Sequence, residues 1–316
     1  MKNFYHLYYD ALLRRFTGSS EELYNFQTRI DRTTAGMAGE QRVYQDIEDC
    51  MSGEPFALLH GLQFINHNNI PHQIDLLLLT TRYILVIEVK NISGTLFYDK
   101  ELRQFSRTLF DDKHEFFANP FDQLLRHHEY VYYLLKNANI KVPVSSLIIN
   151  SNTNATMDQS LRGEAIININ SLRNTLNNLQ HKYPQIMAAN GPERLKHFFE
   201  SKNVFYEATR YIPLTSIQSG VLCPTCDFKN LMVYDSRTWR CFSCKQNNRK
   251  ALKLALRDYR ILVGDTITNE KFRDWTGISN PYTASKILRN LNFPASGKTR
   301  SRIYTIPQEY MFLEIE

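Results

Sequence analysis

Long apolar runs are missing from this 316-residue sequence, and none approaches the ~20 residues a helix needs to cross a bilayer. The opening MKNFYHLYYDALLRRF carries aromatics and a charge pair but no clean apolar stretch ending in a small-residue cleavage site, which argues against a secretory leader. A cytoplasmic chain without a membrane partner is expected. There is no low-complexity segment, internal repeat or long coiled-coil pattern, and no helicase or phosphate-loop motif. An energy-driven step, or activation of a latent activity, would come from a separate protein partner. Cysteine is scarce, at five residues, and four of them fall in two CxxC pairs. In a cytoplasmic chain that pattern reads as a metal site and not as a disulfide framework. The fifth, Cys50, shares a helical pattern with Val43, Ile47 and Met51 and reads as a plain buried thiol.

A hydrophobic fraction of 43% with 22% charged residues fits a soluble folded protein, and the length allows two or three domains. An overall charge excess is nearly absent from residues 1–220, with 22 Lys/Arg against 23 Asp/Glu, whereas residues 221–316 hold 16 against 9. The basic character belongs to the C-terminal third and points there to a polyanionic partner.

The pattern along the chain divides it into an N-terminal helical extension (1–35), an α/β domain (36–203), a linker (204–220), a small metal module (221–246), and a basic helix followed by a compact unit (247–316). Within the α/β domain, the periodicity predicts a helix over 37–52 and strands near 56–66, 73–79 and 83–90, with a further short strand in 91–98. Asn119-Pro120 opens a long helix. Strands near 142–149 and 165–169 and helices near 171–181 and 192–201 follow. This order predicts an α/β layer fold, a mixed sheet flanked by helices.

Residues 74–90 read IDLLLLTTRYILVIEVK. Asp75, Glu88 and Lys90 interrupt two greasy strands, and unpaired charge in a core is costly unless it forms a site. Glu88 and Lys90 are two apart, so they share one face of a strand. Asp75 and Glu88 can converge if their strands are neighbours. Two carboxylates with the Val89 main-chain carbonyl make a hard-oxygen site suited to Mg²⁺ or Mn²⁺. Such an ion polarises a phosphate and lowers the pKa of water, and Lys90 can orient or help deprotonate that water. Glu40, on the preceding helix, is a candidate for a second ion or for holding the water. Gln123, one turn into the helix after Asn119-Pro120, is a candidate for holding a water or phosphate oxygen. His72, His127 and His128 read as non-catalytic.

The stretch HQID…ILVIEVKNISG resembles the core of the nuclease-related domain family (NERD), a branch of the restriction-endonuclease-like superfamily with its spaced Asp and Asp/Glu-x-Lys motif. Gly39-Glu40 is similar to the family's upstream Gly-Glu, Asp75 to its aspartate, Glu88 and Lys90 to its Glu-x-Lys, and Asn119, Pro120 and Gln123 to its Asn-Pro…Gln feature. The resemblance covers roughly residues 36–150 and implies a restriction-endonuclease-like sheet with metal-dependent phosphodiester cleavage.

Cys223, Cys226, Cys241 and Cys244 form C-P-T-C, fourteen residues, then C-F-S-C. Four soft ligands select Zn²⁺ in a closed, structural site. LMVY and TWRC are candidate strands of a hairpin turning at Asp235-Ser236-Arg237, and the module resembles a zinc ribbon. Arg237, Trp239, Arg240, Lys245, Arg249 and Lys250 offer a basic and aromatic surface for DNA.

Further on, Thr268 can cap a helix with Phe272 and Trp275 inward. Asn280-Pro281 opens a second helix packing Ala284, Ile287, Leu288 and Leu291. Its other face offers Tyr282, Thr283, Ser285, Lys286 and Arg289. The following SGKTRSRIYTI supplies Lys298, Arg300 and Arg302 in a basic loop, and the whole is similar to a winged helix-turn-helix. The combined expectation is a metal-dependent DNA endonuclease, with a homodimer if both strands are cut. A non-catalytic nucleic-acid-binding or regulatory protein on the same scaffold, and an RNA nuclease, are the competing expectations.

Overall fold

The computed structural model describes residues 4–65, 70–109, 111–207, 210, 212–298 and 301–313. The chain divides into two compact units: Thr33–Tyr206, and the described residues before and after it. The first helix, α1 (Phe4–Arg15), belongs to the second unit. The next, α2 (Ser20–Met51), is a single 32-residue helix that contributes to both. It begins at a capping box: Ser19 Oγ accepts from Glu22 N, and Glu22 Oε2 accepts from Ser19 N. The helix expected over 37–52 is therefore the second half of a longer one.

The first unit is built on a five-stranded sheet. Its strands are β1 (Phe56–Ile65), β2 (Pro71–Thr80), β3 (Ile84–Lys90) and, further along the chain, β7 (Val144–Asn150) and β9 (Ile166–Asn168), in the order β1-β2-β3-β7-β9. The first two pairings are antiparallel and the last two parallel. This mixed sheet with helices on both faces broadly matches the restriction-endonuclease-like class expected.

Both faces are buried, which explains why β2 and β3 read as continuous apolar runs. Leu77, Leu79, Ile84 and Val86 join one core with Leu124, Val131 and Leu135 of α3 (Pro120–Asn137) and with Leu195 and Phe199 of α5 (Gly191–Glu200). Leu76, Leu78, Leu85 and Ile87 face a second core made with Val43, Ile47 and Met51 of α2 and Leu172 and Leu176 of α4 (Leu172–Lys182). Cys50 packs half-buried beside that core.

A second sheet was only partly foreseen. β4 (Gly94–Asp99) is the short strand expected after residue 91, and it pairs with β5 (Gln104–Thr108) and β8 (Ala155–Met157). β6 (His114–Phe117) adds to β5. The new strands are short and mix polar with apolar residues (QFSRT, HEFF, ATM), so none shows a readable alternation.

The second unit contains two small sheets. β10 (Val221–Leu222), β11 (Leu231–Asp235) and β12 (Thr238–Cys241) form an antiparallel three-stranded sheet. Then come α6 (Ala251–Leu262), β13 (Thr266–Thr268), α7 (Asn269–Thr276), α8 (Pro281–Asn290), β14 (Ala295–Ser296) and β15 (Ile303–Thr305), with sheet order β13-β15-β14. One core, including Val221, Trp239, Leu256, Phe272, Trp275, Leu288 and Ile306, runs through both parts.

Two expectations change here. Among the described residues, the expected N-terminal extension is not a separate piece: α1 packs on α6 within this unit, and residues 33–35 belong to the first. Arg15 Nε donates to Asp258 Oδ2 at 2.6 Å, Arg14 Nη2 to Asp258 Oδ1 at 2.8 Å, and Arg257 Nη2 to Asp10 Oδ2 at 2.9 Å. The basic helix expected after the metal module is also not a solvated one. Apart from Lys253, all of α6 is buried, and Arg260 is held by Glu207. Its arginines read as a basic face in sequence, but they are partners for acids distant along the chain. Among the described residues no helix is long and apolar enough to cross a membrane.

Candidate functional site

The antiparallel β2–β3 register ends at Leu76↔Ile87, and Asp75 and Glu88 are the next residues along the two strands. Asp75 Oδ2 accepts the Val89 main-chain N–H at 2.8 Å. On the other side of Asp75 the β1–β2 ladder skips Gly61, whose positive φ of 65° breaks the pairing between His60↔Leu76 and Leu62↔Ile74. Burial drives the Asp75 carboxyl well above the usual range, and the charges of Glu88 and Glu40 push it further; the Val89 N–H and Lys90 only partly oppose this.

Glu88 is 1% exposed. Lys90 Nζ donates to Glu88 Oε1 at 2.6 Å and to Gln123 Oε1 at 3.1 Å. The two-residue spacing thus puts Glu88 and Lys90 on the face that meets α3, and Gln123 sits on them from the first turn of that helix. Asn119 starts the helix by accepting from Phe121 N, with Pro120 in its first turn. The second oxygen of Glu88, Oε2, is buried without a hydrogen-bond partner, 3.5 Å from His127 Nδ1, which also lacks one. Val89 points into the opposite core.

Glu40, from α2, is engaged by a residue the sequence did not single out: His60 Nε2 lies 2.6 Å from Glu40 Oε2. At Gly39 the helix passes so close to Ser151 that a Cβ would stand 2.5 Å from its Oγ, which accounts for the Gly-Glu pair. Ser151 N and Oγ both donate to the Lys90 carbonyl, at 2.7 and 3.1 Å. Buried Asn150 bridges the Ile92 main chain with both ends of its amide. These two residues hold the backbone around Lys90, and the only sequence trace of them is the polar NSN ending an apolar strand.

The expected site residues Glu40, Asp75, Glu88, Lys90 and Gln123 are therefore brought to one region. His127, which reads as non-catalytic in the sequence, lies beside Glu88. His72 stacks on Tyr130 near His127, and His128 turns away to Ser146 Oγ. Glu40, Asp75 and Glu88 are not drawn together as a three-carboxylate cage. Among the described residues, the one group of three or more His, Cys, Asp or Glu side chains gathered closely enough to hold an ion is Cys223, Cys226, Cys241 and Cys244.

In that group, Cys223 Sγ and Cys244 Sγ are 3.7 Å apart and Cys226 Sγ and Cys241 Sγ 3.8 Å. A tetrahedral ion with bonds of about 2.3 Å to sulfur sets the sulfurs about 3.8 Å apart, so the cluster has the dimensions of a Cys₄ zinc site. Main-chain N–H groups of Cys244 and Ser243 draw the Cys241 thiol down to about 7, while burial pushes Cys223 up to about 12. A cation would offset that cost.

Of the residues expected at a nucleic-acid surface, Arg237, Arg240, Lys245, Arg249, Lys250, Tyr282, Lys286, Arg289, Lys298 and Arg302 are exposed and Thr283 is half-buried. Arg300 lies outside the described residues. Trp239 is corrected: it is 3% exposed and packs against Tyr234, because its position in β12 turns it into the core. Ser285 is engaged by Asn269 Nδ2, binding α8 to α7.

Residues 35–151 match the family model described as nuclease-related domain. No curated protein and no solved structure matches the chain. The matched segment holds Glu40, Asp75, Glu88, Lys90 and Gln123.

Proposed function

We propose that this chain is a metal-dependent endonuclease that hydrolyses phosphodiester bonds of DNA. The observation that carries the reading is the state of Glu88: fully buried, near a second buried carboxylate, with one oxygen on Lys90 and the other without a hydrogen-bond partner. Two buried carboxylates with one lysine ionise together only when a further cation offsets the second charge. Asp75, Glu88 and the Val89 carbonyl would hold Mg²⁺ or Mn²⁺. When bound, such an ion supplies phosphate polarisation and an acidified water.

The chain's own groups do the rest. Lys90, positioned by Glu88 and Gln123, directs its remaining ammonium proton at a phosphate oxygen or at the attacking water and offsets charge developing in the transition state. Gln123 holds Lys90 at the angle that α3 dictates. Glu40, fixed by His60, is the acceptor available to a water entering from the α2 side. Ser151 and Asn150 keep the Lys90 backbone from shifting, since small displacements of a positioned group are expensive in rate.

For the second unit we propose a zinc ribbon over 221–246 followed by a winged helix-turn-helix. The order helix, strand, helix, helix and two-stranded wing, closing the sheet as β13-β15-β14, supports this, with α8 as the helix offered to a DNA groove. Tyr282, Lys286 and Arg289 face outward on it, and Lys298 and Arg302 flank it on the wing. The second reading, a binding or regulatory protein on a nuclease scaffold, is favoured by one observation: Lys90 and His60 already engage Glu88 and Glu40.

Cleavage of supercoiled, linear and single-stranded DNA and of RNA with Mg²⁺ or Mn²⁺ separates these readings. Loss of cutting in both Glu88→Ala and Lys90→Ala supports the enzyme. Tight DNA binding without cutting by the wild type, under any metal, rejects it in favour of the binder.

A further inference from the structure

A row of aromatic rings leads from Glu88 to the surface along α3. His127, 4% exposed and 3.5 Å from Glu88 Oε2, begins it. The His72 ring meets His127 edge-on, with centroids 5.9 Å apart. Tyr130 lies flat on His72 at 5.4 Å with the planes 4° apart, and Tyr133 follows Tyr130 at 6.5 Å and 29°. The last ring, Tyr133, is 49% exposed. Tyr130 is fixed by donating from its hydroxyl to the Ile65 carbonyl.

Positions 126, 130 and 133 fall on one side of the helix, with Arg126 one turn before Tyr130 and two turns before Tyr133. Burial, the neighbouring His127 and the charge of Arg126 all lower the His72 pKa, which keeps its imidazole neutral within the stack. Along α3 the exposed charged residues are Arg126, Glu129 and Lys136, a positive balance at the end of the row. Core packing does not require a half-exposed tyrosine at the end of a row of ring contacts that starts at a buried acid.

We propose that Tyr133, with Tyr130 behind it and Arg126 on the same helix face nearer the site, is a stacking platform for an unpaired base of a single DNA strand whose phosphate occupies the Asp75–Glu88 site. The inference rests on the nuclease reading and narrows its substrate to DNA with unpaired nucleotides a few positions from the cut. A paired base shows only its edges to a protein, whereas a freed base exposes a face that can lie on an aromatic ring. The Arg126 guanidinium suits the adjoining phosphate.

The test uses the full chain as wild type, Tyr133→Ala and Tyr133→Phe. Affinity for a labelled DNA single strand, its duplex and the matching RNA is read by fluorescence anisotropy with Ca²⁺ replacing the catalytic ion. Cleavage of the same strands is followed with Mn²⁺. The expected result is a single-strand to duplex affinity ratio that falls about tenfold in Tyr133→Ala, as for one lost base stack, and recovers in Tyr133→Phe. An abasic position near the cut should lower wild-type affinity and leave Tyr133→Ala little changed. An unchanged ratio in Tyr133→Ala, equal losses on single strand and duplex, or tighter wild-type binding of RNA overturns the proposal. Wild-type cleavage with an unchanged ratio leaves the nuclease reading standing without the platform. Absence of all cleavage removes that reading, and the binding ratio still decides whether Tyr133 stacks on a base.

Discussion

Glu88 Oε2 and His127 Nδ1 face each other at 3.5 Å, both buried and both without a hydrogen-bond partner, while Lys90 occupies the other Glu88 oxygen. The acid is thus half committed, a state that serves ligand binding better than it serves stability.

Glu88→Gln should separate those two roles. It removes a charge that repels Asp75, so the metal-free first unit should melt a few degrees higher, 1 kcal/mol being worth about 2–4 °C in a unit of this size. Cleavage should fall by at least about 100-fold, the scale of losing a positioned catalytic group. Calorimetry beside a cleavage assay checks both. A variant that is destabilised and retains cutting would contradict the reading of the site.

Metal removal should act on the second unit. A chelator strong enough to strip zinc should release one ion per chain and shift tryptophan emission to the red as Trp239 leaves its contact with Tyr234. Cys241→Ser should behave likewise without chelator. Elemental analysis with fluorescence measures this, and an emission spectrum indifferent to chelation would rule out a structural ion there.

Acid should weaken the same unit. Burial alone would raise the Asp258 pKa, but Arg14 and Arg15 outweigh it and hold the carboxyl below its ordinary value. A folded pKa below the unfolded one stabilises the fold fully above the unfolded value of about 3.9, and that contribution fades as pH falls through the lower folded value. Asp258→Asn should lose this acid dependence and be less stable at pH 7 by about 3–5 kcal/mol, because it leaves the buried Arg15 guanidinium without its carboxylate, whereas Arg14 keeps Asp10. Denaturant titrations at pH 7 and below pH ~4 test the sign.

Because α1 completes the second unit, Leu12→Ala, at a fully buried position, should destabilise that unit by about 2–5 kcal/mol. Hydrogen exchange resolved along the chain should show protection lost over α6 while β2 and β3 keep theirs. Loss confined to α1 would mean that the helix is an appendage.

Lys286→Ala and Arg289→Ala should each weaken duplex DNA binding and each reduce the slope of log affinity against log salt by about 1, as for one phosphate contact. Salt titrations of binding decide this, and unchanged slopes would place the DNA surface elsewhere.

What could be read from the residues was whatever depends on local spacing. The Glu88-x-Lys90 pair shares a strand face by period-two geometry, the CxxC pairs sit within reach of one ion, and Asn119-Pro120 opens a helix, all over a few residues. The strand pair 74–90 was legible because both its faces are buried and leave no room for a solvent side. The short strands β5, β6 and β8 were not, since three to five residues of mixed polarity carry no period.

The sequence by itself determined the chemistry available: two carboxylates and a lysine in a buried strand pair, four thiolates in two knuckles, and a basic C-terminal third. Only the tertiary structure decided which partners that chemistry meets. His60 reached Glu40 across twenty residues, and His127 reached Glu88 across thirty-nine. The arginines of α1 found Asp258, more than two hundred residues away. Local propensity acts over one or two turns, whereas a buried charge is answered by whatever the packing of the whole chain brings beside it, and no pattern along the sequence records that distance.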